Sequence, residues 1–190
     1  VVSSFTPDFP PQIDNVSYGT ATDIATFPMV QATFDAKALV PDNGTLGTTW
    51  TAPGFNDAAW QDAITGIGYA ATATPPPFGD FIQTNLQAQM YQQRAGAYAR
   101  IPFTLGSLPN IDTLKLHMKY DDGFVAYLNG VEVARSNVAP GTLAWNSLAA
   151  NDRADANAIS FQVFDVSGFI DELVEGVNVL AIHGLNSSVT

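Results

Sequence analysis

Regular alternation of apolar and polar positions sets in near Ala97 and shapes the second half of the chain. Leu114, Leu116, Met118 and Tyr120 alternate with Thr113, Lys115, His117 and Lys119. A period of two puts one set on a dry face and the other on a wet face, which predicts a β-strand. Residues 124–128 are apolar on both parities, as expected of a central strand covered on both sides. Asn129-Gly130 separates that run from Val131-Glu132-Val133-Ala134-Arg135. A dipeptide that accepts positive φ at both positions, set between two strand-like runs, predicts a tight antiparallel hairpin. Residues 159–166 and 177–185 read as further strands. Between them Ser167 is placed to cap a short helical turn reaching Val174, and Gly176 ends it.

The first half is less regular. Residues 29–40 read as a strand that stops at the turn Pro41-Asp42-Asn43-Gly44. Residues 70–80 carry Pro75, Pro76 and Pro77 in succession, which excludes both a helix and a central strand. The glutamine-rich stretch 81–96 spaces Phe81, Leu86 and Met90 too loosely for a long helix and predicts a loop with one helical turn. Pro7, Pro10 and Pro11 favour extended backbone near the start, so residues 1–28 read as a linker, an extension or the tail of a preceding domain. Residues 29–190 are then one domain. The class is all-β with short helical turns, and a β-sandwich is the architecture that such strands favour.

Composition narrows the function. Apolar residues make up 46% of the 190 positions and charged residues 13%, enough to bury a core and unlike a disordered chain. Seven basic against 18 acidic residues give a net charge of −11, which argues against a nucleic-acid partner. The absence of cysteine removes disulfides, thiolate metal sites and cysteine nucleophiles. No apolar run is long enough for a membrane helix, and no signal-peptide pattern follows Val1. Acidity with many Thr, Asn, Gly and Ala residues suggests an extracellular or cell-surface location.

Three stretches carry a family resemblance. They are Trp50-Thr-Ala-Pro-Gly-Phe-Asn-Asp-Ala-Ala-Trp60 with Gly66-Ile-Gly-Tyr69, then Lys119-Tyr-Asp-Asp-Gly-Phe-Val-Ala-Tyr-Leu-Asn-Gly-Val-Glu-Val-Ala-Arg135, and Phe164-Asp-Val-Ser-Gly-Phe-Ile with Glu175-Gly-Val-Asn-Val-Leu-Ala-Ile-His-Gly-Leu-Asn186. Together these resemble the galactose-binding-like jelly-roll modules attached to bacterial glycoside hydrolases. They are similar also to a module of large secreted bacterial proteins that sits beside lamin-tail and spore-coat-kinase-like domains. The resemblance covers roughly residues 45–186. It implies a galactose-binding-like jelly-roll β-sandwich and a non-catalytic, carbohydrate-binding module within a larger secreted protein. It also implies a final acidic-apolar strand after Leu185-Asn186-Ser187-Ser188, which would leave this sandwich with an open edge. A second implied role is therefore a structural or adhesive subunit that joins neighbours by strand addition into an oligomer or filament.

Candidate chemistry lies in the loops. Trp145, Tyr91 and Arg94 combine aromatic faces that stack on sugar rings with a cation that hydrogen-bonds hydroxyls, and Asp121 adds an acceptor. These four form the candidate ligand site for a polysaccharide or glycan. Asp121 and Asp122 precede a central strand, where paired carboxylates either hold a structural calcium ion or bond the turn backbone. Asp152 and Asp155 form a second acidic loop of the same ambiguity. Phe55 and Trp60 read as core anchors before they read as a sugar platform. His117 and His183 are the only histidines and read as structural. Gly66-Ile-Gly-Tyr is not a dinucleotide fingerprint, because Ala71 stands at the third glycine position. No Gly-x-Ser-x-Gly elbow is present, and nothing marks an acid and base pair, so the expectation is a binding module and not an enzyme.

Overall fold

The computed structural model describes residues 25–70, 77–108 and 110–189. Most of the expected linker, residues 1–24, lies outside that set, as do Pro75 and Pro76. The chain forms β1 (Asp35–Leu39), β2 (Gln61–Ile64), β3 (Ile67–Gly68), β4 (Thr84–Asn85), α1 (Gln87–Met90), β5 (Gly96–Leu105) and β6 (Lys115–Met118). It continues through β7 (Gly123–Leu128), β8 (Val131–Ser136), α2 (Asp155–Ala158), β9 (Gln162–Asp165) and β10 (Gly176–Leu185). The architecture is an all-β sandwich. One antiparallel six-stranded sheet has the order β2-β1-β5-β10-β7-β8, with two-stranded sheets β6-β9 and β3-β4 beside it.

Both faces of the large sheet are covered, and this is why its middle strands read as apolar throughout. On the inner face Ala99, Ile101, Phe124, Ala126 and Ile182 meet Leu116, Met118, Tyr120 and Phe164 from the β6-β9 side. On the outer face Tyr98, Val179 and Ala181 meet Trp50 and Trp60, contributed by the connection between β1 and β2. Phe124, Val125 and Ala126 are fully excluded from solvent. Trp50 stacks on Tyr98 with ring centroids 4.1 Å apart.

The hairpin expected at Asn129-Gly130 is present. Asn129 and Gly130 have φ of 51° and 96°, and Leu128 pairs with Val131. The Asn129 side chain adds a lock of its own. Its Oδ1 accepts from Val179 N at 2.8 Å, and its Nδ2 donates to Glu172 O and to Asn178 Oδ1, each at 2.7 Å.

Two expectations need correction. The strand read over 29–40 is confined to 35–39, because Phe34 N–H bonds the Thr65 hydroxyl at 2.9 Å and not a neighbouring strand. Ser167 is not the cap of the following 3-10 turn, Ser167–Glu172. Its hydroxyl accepts from Leu114 N at 3.0 Å, and Asp165 Oδ1 takes the Ser167 N–H at 2.9 Å.

The second layer is sparse. A channel of about 1630 Å³ runs beneath it, lined by residues of β3 and β6 over Ile101, Phe103, Leu180 and Ile182. Among the described residues, strand β6 has β9 as its one partner in the sheet.

Candidate functional site

Strand register decides which loops meet. Leu185 pairs with both Gly96 and Gly123, and Ser136 pairs with Phe124. The starts of β5 and β7 and the ends of β8 and β10 therefore lie at one end of the sheet. Tyr91 and Arg94 precede β5, Asp121 and Asp122 precede β7, Trp145 follows β8, and Asn186 follows β10. All four candidate ligand residues are gathered at that end.

Close approach there depends on glycine. A Cβ on Gly96 would lie 2.9 Å from His183 Nε2 and 3.3 Å from Trp145 O. On Gly123 it would lie 2.8 Å from Asn137 O. Real β-carbons do not come so near, so β5 and β7 can begin against these loops only where no side chain exists.

Trp145 and Arg94 meet directly. The guanidinium lies 5.5 Å from the indole centroid, and both line a cavity of about 280 Å³ with Gln93, Gly96, Asn146 and Leu148. Trp145 also packs against the Trp50-Trp60-Tyr98 cluster, and Gly44 leaves room for its ring edge. The indole thus touches both the core and the cavity. Arg94 donates to Gln93 O at 2.9 Å and enters no ion pair among the described residues. Gln93, Asn146 and Leu148 escaped the sequence reading. They lie in irregular loops with no periodic signal, and only their adjacency to Arg94 and Trp145 in the chain hinted at them.

Tyr91 lies apart from this cavity. Its ring packs against Tyr69 at 6.2 Å, and the Tyr69 hydroxyl accepts from Asn186 Nδ2 at 3.1 Å. Asp121 and Asp122 form a different corner of the same end. Asp122 is buried, its Oδ1 accepting from Arg153 N and its Oδ2 from Ser187 N, each at 2.6 Å. Both of its oxygens are thus engaged by backbone, and this carboxylate clamps two loops. Among the described residues no group of three or more His, Asp or Glu is placed to hold a metal ion.

Asp121 has a buried Oδ1 without a hydrogen-bond partner. Burial pushes its carboxyl up to about 7, with Asp122, Asp155 and Asp152 adding to the rise and Arg153 opposing it. A carboxyl raised above its unfolded value stabilises the fold fully in acid and progressively less as pH climbs through the folded pKa. Between pH 4 and 7 the wild-type chain should therefore lose stability relative to Asp121→Asn. Urea titrations at pH 4.5 and 7.5 test this, and an unchanged gap between the two proteins at both pH values would refute it.

The two histidines differ in placement. His183 is buried with its ring 4.7 Å from Tyr98 and 6.5 Å from Trp50, and burial pushes it down to about 4. His117 is exposed and faces Phe161 at 6.0 Å. Trp60 is buried and Phe55 packs on it at 5.6 Å, in keeping with the core reading of both.

No protein-family model and no curated protein matches the chain. Among solved structures the chain is similar to a β-glycosidase from Bacteroides vulgatus, at 14% identity and a TM-score of 0.45, over 80% of this chain and 16% of that one. A β-glucuronidase from Bacteroides uniformis matches at 15% identity and a TM-score of 0.48, over 82% of this chain and 14% of the other. The β-glucuronidase from Ruminococcus gnavus matches at 14% and 0.47, over 81% and 21%. The chain thus spans about a fifth or less of the length of these enzymes. Likeness at this level supplies no residue correspondence, and function must be read from the loops themselves.

Proposed function

We propose that this domain is a non-catalytic carbohydrate-binding module, and that the cavity between Arg94 and Trp145 is its sugar site. The observation that carries the reading is the meeting of those two side chains on separate loops at one sheet end. An indole offers an apolar face to the C–H surface of a sugar ring, and a guanidinium and two carboxamides offer hydrogen bonds to hydroxyls. Ligand sites are concave and mostly apolar with a few convergent polar groups, and this one has that makeup. Its volume of about 280 Å³ lies at the small end for such sites and suits a single sugar residue. The larger channel is a poorer sugar site. At about 1630 Å³ it exceeds the usual range of small-ligand cavities, and its floor is aliphatic and phenyl carbon.

Affinity electrophoresis through gels containing neutral and acidic polysaccharides tests the reading. Wild-type protein should be retarded by at least one, and Trp145→Ala should migrate as in a blank gel while keeping its far-ultraviolet dichroism. Free migration of the wild type in every gel of a broad panel would dispose of the idea.

A further inference from the structure

Resting on that reading, we infer that the Arg94 cavity selects a sugar bearing a carboxylate, a uronic acid residue carried singly at a chain end or branch. The argument begins with an account of the seven cations. Lys37 pairs with Asp62, Arg100 with Asp57 and Arg135 with Glu132. Lys115 lies directly opposite Asp165 in the β6-β9 register. The Lys119 ammonium is seated over Phe81 at 3.4 Å and Phe161 at 4.9 Å. Arg153 lies over Tyr120 at 4.1 Å, donates to Tyr120 O and sits beside the Asp121 carboxyl.

Arg94, like Lys119, has an aromatic ring beside it and no carboxylate partner among the described residues, and of these two cations it alone carries a planar fork. Its one hydrogen bond goes to the neighbouring Gln93 carbonyl, and its other guanidinium N–H groups have no acceptor among the described residues. It lines a cavity, in a protein where acidic residues outnumber basic ones by 18 to 7. A guanidinium presents five N–H donors in a planar fork that matches a carboxylate in bidentate fashion. A neutral hydroxyl would use one of those donors and leave its partner charge unmet. A carboxylate uses two and neutralises the site.

Trp145 sets the geometry of the choice. The guanidinium lies 5.5 Å from the indole centroid, so a carboxylate held by Arg94 would bring its sugar beside the Trp145 ring. Gln93 and Asn146 stand at the same cavity to meet ring hydroxyls.

The net charge sets the limit on the ligand. A charge of −11 repels a densely anionic polymer, although salt near 0.15 M screens exposed charges beyond about 8 Å. The favoured ligand therefore has one carboxylate at the site and neutral sugar beyond it.

The test compares D-galacturonic acid, its methyl ester and D-galactose by isothermal titration at pH 7, with tryptophan fluorescence as a second readout. The ester removes the charge and keeps the size. Wild type should bind the free acid tighter than the ester on the order of ten- to a hundredfold. Arg94→Gln should lose that preference while retaining the weak binding of galactose. Arg94→Lys keeps charge without the fork and should fall between them. Equal binding of acid, ester and galactose would overturn the acid selectivity and leave the carbohydrate reading standing. If none of the three binds and no polysaccharide retards the protein, both fall together.

Discussion

Arg100→Ala is expected to lower the unfolding free energy by about 3–5 kcal/mol, the usual cost of removing one partner from a buried ion pair. Arg100 lies in the middle of β5 with 2% of its surface exposed. Its Nε donates to Asp57 Oδ2 at 2.7 Å, and Nη1 donates to the carbonyls of Trp50 and Ala52. The guanidinium also lies over the Phe55 ring at 5.3 Å. One side chain thus fastens residues 50–57 onto the outer face of the large sheet. Alanine would take the guanidinium from the Trp50 carbonyl and the Asp57 carboxylate and open a void beneath Trp50 and Trp60, while the Ala52 carbonyl keeps Phe55 N. Lysine could restore the charge but not three directed bonds, so Arg100→Lys should recover only part of the loss. Urea unfolding followed by tryptophan fluorescence reads all three proteins, and a loss under about 1 kcal/mol for alanine would contradict the fastening role.

Asp122→Ala is expected to cost about 3 kcal/mol and to loosen the whole loop end. Two backbone N–H groups, those of Arg153 and Ser187, would each lose a charge-assisted acceptor in a place where water does not substitute readily. The backbone of Asp122 stays paired with Leu185 through its N–H and with Asn137 Nδ2 through its carbonyl, so the strands themselves should persist. The change should therefore appear as faster amide hydrogen exchange at Arg153 and Ser187, beside a lower urea midpoint. Asp122→Asn should be nearly as costly, since an amide turns a donor toward one of two donors. Unaltered exchange at both amides would show that the carboxylate does not clamp these loops.

The alternation at 114–120, the apolar run at 124–128 and the Asn129-Gly130 turn were legible because each is a local pattern. Side-chain period and left-handed backbone need no knowledge of distant residues. Ser167 misled for the opposite reason. Capping chemistry was read from its neighbours along the chain, while its hydroxyl was claimed by Leu114 across space. The site was partly legible in the same sense. Residue type singled out Trp145 and Arg94, and strand register, invisible in sequence, brought them together. Tyr91 has the right chemistry for the role and stays exposed, but it lies beside Tyr69 and outside the cavity that Arg94 and Trp145 line. The outer-face cover at Phe55 and Trp60 looked like core on aromatic size alone, but its anchor, Arg100, is a polar residue within a strand and gave no warning.

The residues proposed to meet a ligand lie at one rim, where Arg94 and Asn146 stand clear of the core clusters and Trp145 alone packs against one. Trp50 and Trp60 cover one face of the large sheet and Phe164 packs on the other, while Arg94, Trp145 and Asn146 lie in loops beyond strand ends held by Gly96, Gly123 and Asp122. Changes at Arg94 or Asn146 should therefore alter the chemistry this rim presents while the mechanical frame is left intact.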